Sequence, residues 1–189
     1  VSVELSEAEV HWRSFLESLV KRGLHGIKLI VSDDHSGLKA ARKAVFPSIA
    51  WQRCQFHLQQ NAQSYIAKKS DKKTIAAEIR AIFNSEDLVE AERKLKILIA
   101  KYEDKNPRLS EWLEHAIPEG LSVFKMPTIQ QKKLRTSNMA ERVNQEVKRR
   151  TKVARIFPNI ESLLRLVSAI CMDIDEDWST QTKRYLTKE

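Results

Sequence analysis

Residues 27–38 read IKLIVSDDHSGL, an apolar run that stops at two adjacent aspartates, a histidine and a glycine. Open α/β sheets collect functional groups just past the carboxyl ends of their strands. With a side-chain period of two, Leu29, Val31 and Asp33 fall on one face and Ile30, Ser32 and Asp34 on the other. Only one aspartate can therefore serve a given site. The competing role for either is a turn or N-cap residue opening a helix at Ser36. A second group lies in RTSNMAERVNQEVKRR, where Glu141, Asn144 and Lys148 share one side of a helix at about 100° per residue. A carboxylate, an amide and a base so placed suit a site for metal and phosphate. Asn138 and Glu141 also have the spacing of a capping box. Glu146 stands within reach of Arg142, Arg149 and Arg150, as an ion-pair partner would. The third group is Cys54 with His57. Two ligands fall short of the four that a structural zinc takes, and Cys171 stands apart. A small buried cysteine beside a hydrogen-bonded histidine is the plainer expectation, with a thiol–imidazole nucleophile as the alternative. Glycine-rich phosphate loops, nucleophile elbows and H-E-x-x-H do not occur.

Helix and strand patterns set where these groups stand. Residues 6–22 predict a helix with Ser6 and Glu9 as its capping box, and Val10, Phe15, Leu16, Leu19 and Val20 recur on its apolar face. Gly23 ends it. Residues 27–32 are too short and too β-branched for a helix and predict a buried strand. A helix from Ser36 to Phe46, stopped by Pro47, leads to a second strand at 49–54, the element order of an α/β sheet. From His57 to Ala116 the pattern is helical throughout. Behind an N-cap at Ser85, Leu88, Ala91, Leu95, Leu98, Ile99 and Tyr102 form one stripe. Residues 117–136 read as a connector, followed by helices over 137–151 and 160–178, the latter with Leu163, Leu164, Val167 and Ile170 inward.

The chain has 189 residues with 42% hydrophobic and 31% charged content, and few glycines or prolines, which suits a helix-rich domain and disfavours an all-β one. Two isolated cysteines argue against a disulfide framework. No run of about 18 apolar residues occurs. Net charge is +8, and residues 130–155 carry nine bases against two acids. Bases concentrated in this way form a surface for a phosphate backbone, which they bind with release of counterions.

VSDDHSGLKAA, WQRCQFHLQQN and LRTSNMAERVNQEVKRRTKVARIFPN closely resemble three successive blocks of the mutator-type bacterial insertion-sequence transposases. ESLLRLVSAICMDIDEDW resembles that family's C-terminal helix, so the resemblance spans essentially the whole chain. It implies an α/β, mostly helical fold: a partial RNase H-like core, its N-terminal strands missing, with an all-α insertion between the second strand and the glutamate helix. The implied division is 1–56 for the partial core, 57–117 for the insertion, and 118–189 for the connector, glutamate helix and C-terminal helix.

The family's S-D-x-H-x-G-L block places the second aspartate of an Asp-Asp-Glu triad on Asp33, and its N-x-x-E-R block places the glutamate on Glu141. Position 34 varies in the family, and its side chain is expected to point away. The first triad aspartate is expected on an earlier strand that this chain does not carry. His35, Cys54 and His57 are implied to be structural or site-adjacent. The implied chemistry is metal-dependent cleavage and transfer of DNA strands, with two Mg²⁺ (or Mn²⁺) ions about 3.5–4 Å apart in the complete enzyme. Asp33 is implied to bridge the ions, Glu141 to hold one, and Arg142, Asn144, Lys148, Arg149, Arg150 and Lys152 to bind DNA. The implied partners are double-stranded DNA of the element ends and target, and a second copy of the chain, since an open sheet edge seeks a strand. The expected setting is the bacterial cytoplasm and nucleoid, with no membrane or small-molecule substrate. Short of one carboxylate, the chain alone is expected to bind metal weakly and not to cleave. Two other classes remain: a non-catalytic DNA-binding or dimerising remnant, and a thiol hydrolase built on Cys54 and His57.

Overall fold

A computed structural model describes residues 2–4, 6–154 and 156–180. In chain order the elements are α1 (Glu9–Lys21), β1 (Leu29–Ser32), α2 (Ser36–Val45), β2 (Ala50–Arg53), α3 (Gln55–Ser64), α4 (Lys69–Phe83), α5 (Leu88–Glu103) and α6 (Pro107–Ala116). Two 3₁₀ turns, Ile117–Gly120 and Ser122–Lys125, precede α7 (Thr128–Leu134), α8 (Asn138–Ala154) and α9 (Ile160–Thr180). The connector expected at 117–136 is thus largely helical. The two strands pair in parallel, with Leu29 opposite Ala50 and Ser32 opposite Arg53. Contacts group the elements into two compact units: one holds both strands, α3 to α7 and the 3₁₀ turns, and the other holds α1, α2, α8 and α9. No described helix is long and apolar enough to cross a membrane.

The strand-bearing unit contains the hydrophobic core. Leu58 of α3, Ile75, Ile79, Ile82 and Phe83 of α4, Leu109 and Leu113 of α6, and Ile117 are no more than 1% exposed. Ala91, Leu95 and Leu98 of α5 close the cluster, with Leu88, Ile99 and Tyr102 packed at its margin, as the apolar stripe predicts. The cap of α5 is Asp87, whose carboxylate accepts from Glu90 N at 2.8 Å, whereas Ser85 is buried and donates to Ala81 O. The better cap won: a carboxylate at the helix N-terminus also meets the positive end of the helix dipole.

Two buried glutamines join the sheet to the connector. Gln52 is fully buried; its amide nitrogen donates to Gly120 O at 2.7 Å and its oxygen accepts from Val123 N at 2.7 Å. Gln55 donates to the same Gly120 carbonyl at 2.8 Å. Every rung made by these side chains satisfies a main-chain group that burial would otherwise leave unpaired.

The other unit is built around a close approach of α1 and α2. The expected capping box is not formed: Ala8 caps α1 without a side-chain bond, and Ser6 Oγ only accepts from Ala8 N at 3.4 Å. Instead α1 ends in a Schellman motif. Gly23 has φ 96°, its N–H bonds Val20 O, and Leu24 N bonds Leu19 O. Val10 and Val20, expected on the inward face, are 65% and 45% exposed. Gly37 in α2 lies against the chain entering α1, where a Cβ would stand 2.5 Å from Glu7 O. That obstacle is backbone, which cannot rotate aside. Gly37→Ala is expected to cost about 1–3 kcal/mol of stability by forcing α2 away from α1, measured by urea denaturation; an unchanged midpoint would show that the helices do not approach so closely.

Candidate active-site carboxylates and basic helix

In the strand-bearing unit the sheet ends at its last rung, where Cys54 N donates to Ser32 O at 2.7 Å. Asp33 and Asp34 stand just beyond. Ser32 is opposite Arg53, so by alternation Asp34 falls on the face that carries the Arg53 side chain. Arg53 Nη1 lies 3.0 Å from Asp34 Oδ2 and 3.1 Å from Glu119 Oε2, and the arginine side chain is only 6% exposed. With its carboxamide turned to satisfy both neighbours, Asn61 accepts from Arg53 Nη2 at 3.0 Å. On the same side Trp51 Nε1 donates to Ser32 Oγ at 2.9 Å. Asp33 takes no part in this network. It is exposed, and among the described residues its carboxylate has no hydrogen-bond or ion-pair partner; only its main-chain oxygen accepts, from Ser32 Oγ.

Cys54 precedes α3 as its cap residue and is fully buried. Its sulfur lies within 4.8 Å of a ring nitrogen of His57. The hydrogen bond expected for His57 is not made at Nδ1, which is buried without a partner, and the ring stands edge-on to Phe56 at 5.5 Å. A thiol with no exposed surface cannot attack a substrate, so the nucleophile alternative loses its geometric basis.

In the other unit, α8 carries the remaining candidates. Glu141 is half-buried in its first turn, and Ser137 donates to Glu141 Oε1 through its hydroxyl at 2.7 Å. Ser137 O also accepts from Glu141 N, so the helix is entered from Ser137 rather than from the Asn138 box expected. Further along, Glu146 is the ion-pair partner that the spacing suggests. It accepts both Arg149 Nε at 2.9 Å and Arg149 Nη2 at 2.7 Å, and Arg150 Nε at 2.8 Å. These hydrogen bonds hold the Glu146 carboxyl down to about 2 and push both guanidinium groups up. Arg150 Nη1 reaches on to Asp173 of α9 at 2.7 Å, fastening the two helices. Arg142, Lys148 and Lys152 are exposed and, among the described residues, without a carboxylate partner. Asn144 lines a cavity of about 550 Å³ with Trp12, Phe15, Val147, Val167 and Cys171. Arg155, counted among the bases, lies outside the described residues. His35 precedes α2 and its Nε2 lies 3.1 Å from Glu7 Oε2, a tie within this unit.

Asp33 and Glu141 are hard oxygen donors, and among the described residues no cationic side chain pairs with either carboxylate. That donor chemistry suits Mg²⁺ or Mn²⁺ better than a thiophilic metal. Asp34, already committed to a buried guanidinium, does not offer a free carboxylate in the same way.

Residues 1–181 match the sequence profile of the Transposase, Mutator family. The chain belongs to that family. It is 56% identical over 178 residues to the transposase of insertion sequence element IS406 from Burkholderia multivorans, which covers 94% of this chain and 46% of that protein. It is 41% identical over 191 residues to the ISRM5 transposase of Rhizobium meliloti, covering 100% of this chain and 48% of the relative. With the transposase of IS256 in transposon Tn4001 from Staphylococcus aureus the identity is 36% over 187 residues, 97% of this chain and 47% of the other. The chain therefore spans about half the length of these curated relatives.

Two measurements test this geometry. Asp34→Ala is expected to lower stability by about 1–3 kcal/mol, because Arg53 stays buried with one carboxylate fewer, whereas Asp33→Ala should fall within about 0.5 kcal/mol of the parent. Equal effects in urea denaturation would contradict the assignment. For Glu146 the folded carboxyl lies below its ordinary 4.5, so its contribution is present above that value and is lost as pH falls towards about 2. Carboxylate-detected NMR should show Glu146 titrating near the lower figure; a midpoint above 4 would mean that its arginine pairs do not persist.

Proposed function

We propose that this chain supplies two of the three carboxylates of a transposase that cleaves and rejoins DNA strands with the aid of divalent metal. Asp33 is the strand-end aspartate and Glu141 the helix-borne glutamate of an Asp-Asp-Glu triad on an RNase H-like core, with the helical block from α3 to α6 as its insertion. The single observation that carries this reading is the division of labour at the end of β1: Arg53 holds Asp34, while the Asp33 carboxylate stays exposed and, among the described residues, unpaired. Membership of the Mutator family supports the same reaction class.

Asp33 and Glu141 are the groups that would hold Mg²⁺ or Mn²⁺, two ions in the complete enzyme. Such ions supply charge neutralisation at the phosphoryl oxygens and acidify an attacking hydroxyl. The chain's own residues do the rest. Arg142, Lys148 and Lys152 are free to meet phosphates of double-stranded DNA, from element ends and target alike. Arg149 and Arg150 contribute with part of their donor capacity already used by Glu146 and Asp173. A homodimer acting on the bacterial nucleoid in the cytoplasm fits a reaction that must handle two DNA ends.

In a full-length transposase carrying this stretch, Asp33→Asn and Glu141→Gln should each lower strand cleavage by about 10³-fold or more while DNA affinity is retained, since a lost metal ligand removes several kcal/mol of transition-state stabilisation. Asp34→Asn should leave residual cleavage. The 189-residue chain alone should not nick DNA; a metal-dependent nick made by it, or full activity in Asp33→Asn, would overturn the proposal.

A further inference from the structure

The face of α8 that bears Arg142, Glu146 and Arg149 does not simply meet solvent. Together with Ile174 and Trp178 of α9 it lines a cleft of about 390 Å³. Its walls are chemically unlike one another. Val143 and Ile174 are apolar, Trp178 presents an indole that is 41% exposed, and two guanidinium groups lie along the α8 side. Glu146 uses both carboxylate oxygens on Arg149 and Arg150, which fixes the Arg149 fork through Nε and Nη2 and leaves Nη1 without a partner among the described residues. Arg142 has no ion-pair partner among the described residues. An exposed indole beside apolar Val143 and Ile174, with one clamped arginine, Arg149, and a second, Arg142, at the rim, matches the needs of an aromatic ring that carries a phosphate. A continuous duplex cannot use it, because its bases are stacked inside the helix.

We propose that the α8–α9 cleft binds a single unstacked nucleotide of the DNA, with the base on Trp178 and its phosphate on Arg142 and the open edge of Arg149. The site rests on the reading of α8 as a DNA surface and adds a preference to it: DNA with an unpaired base is bound more tightly than the same duplex fully paired. Stacking of a base on an aromatic side chain is sequence-tolerant and contributes about 1–3 kcal/mol in single-stranded complexes. Lys148, which falls between Glu146 and Arg149 in the chain, and Lys152, about one turn past Arg149, hold the flanking phosphates without distinguishing the two kinds of DNA. Glu146 keeps its charge throughout the neutral range, so it remains an acceptor for an exocyclic amino group as well as a clamp on the arginines.

The test compares the chain with Trp178→Ala, Trp178→Phe and the double variant Lys148→Ala/Lys152→Ala on two DNA duplexes, one continuous and one carrying a single unpaired 2-aminopurine. Binding is read by anisotropy and base stacking by 2-aminopurine fluorescence. The parent chain should bind the second duplex about tenfold or more tightly and quench its fluorescence. Trp178→Ala should lose that preference and the quenching while binding the continuous duplex as before, and Trp178→Phe should keep most of both. The lysine variant should weaken both duplexes alike. An equal loss on both duplexes in Trp178→Ala, or quenching that survives it, would overturn the nucleotide site alone. Parent affinity for neither duplex would overturn the DNA-surface reading and this site with it.

Discussion

A buried guanidinium decides what the end of the sheet can do. Arg53 is the last residue of β2, its side chain is 6% exposed, and a charge so placed must be met by carboxylates and other acceptors. It takes Asp34 from beyond the neighbouring strand and Glu119 from the 3₁₀ turn that follows α6. One interaction thereby fixes three segments: the exit of β1, the end of β2 and the start of the connector. The register of the parallel pair makes this choice of aspartate unavoidable, because Ser32 lies opposite Arg53 and Asp34 follows Ser32 by two. Asp33, one residue out of phase, remains exposed. The two buried glutamines, Gln52 and Gln55, reinforce the same junction by anchoring the Gly120 carbonyl.

The unit that holds α8 uses charge differently. No side chain of α8 is buried, and much of its polar surface is already spoken for. Glu146 takes up Arg149 and Arg150, and Arg150 is shared with Asp173. The nine bases counted between residues 130 and 155 thus do not act as equivalents. Exposed pairs of this kind add little stability, about 0–1 kcal/mol each, but they hold side chains in place. On α8, what remains available for a polyanion is Arg142, Lys148, Lys152 and the unused donors of the paired arginines. The chain belongs to the Mutator family, and the distribution of ion-pair partners decides which bases of α8 keep their donors open.

Much of this was legible beforehand, and the reasons differ by feature. Both strands, the long helical block and the stripe on α5 follow from periodicity, since burial imposes the pattern directly. The ion-pair role of Glu146 follows from helical spacing alone. Caps were less legible: Ser6, Ser85 and Asn138 have suitable types, yet α5 uses Asp87 and α8 starts from Ser137, because several polar residues compete within each turn. The roles of Gln52, Arg53 and Gln55 were hidden, since a polar run such as WQRCQ looks solvated until the segment it meets is known. Gly37 is similar. Its place in the block around Asp33 is explained by the main chain of Glu7, a contact that no local pattern announces.

The claim on which the account turns is that Asp33, and not Asp34, is the aspartate open to a divalent cation. Carboxylate-detected NMR of the chain during titration with Mn²⁺ tests it most directly, through paramagnetic broadening of individual side chains. The account predicts that the Asp33 signal broadens early while those of Asp34 and Glu119 stay sharp, held by Arg53. Broadening of Asp34 before Asp33 would contradict it.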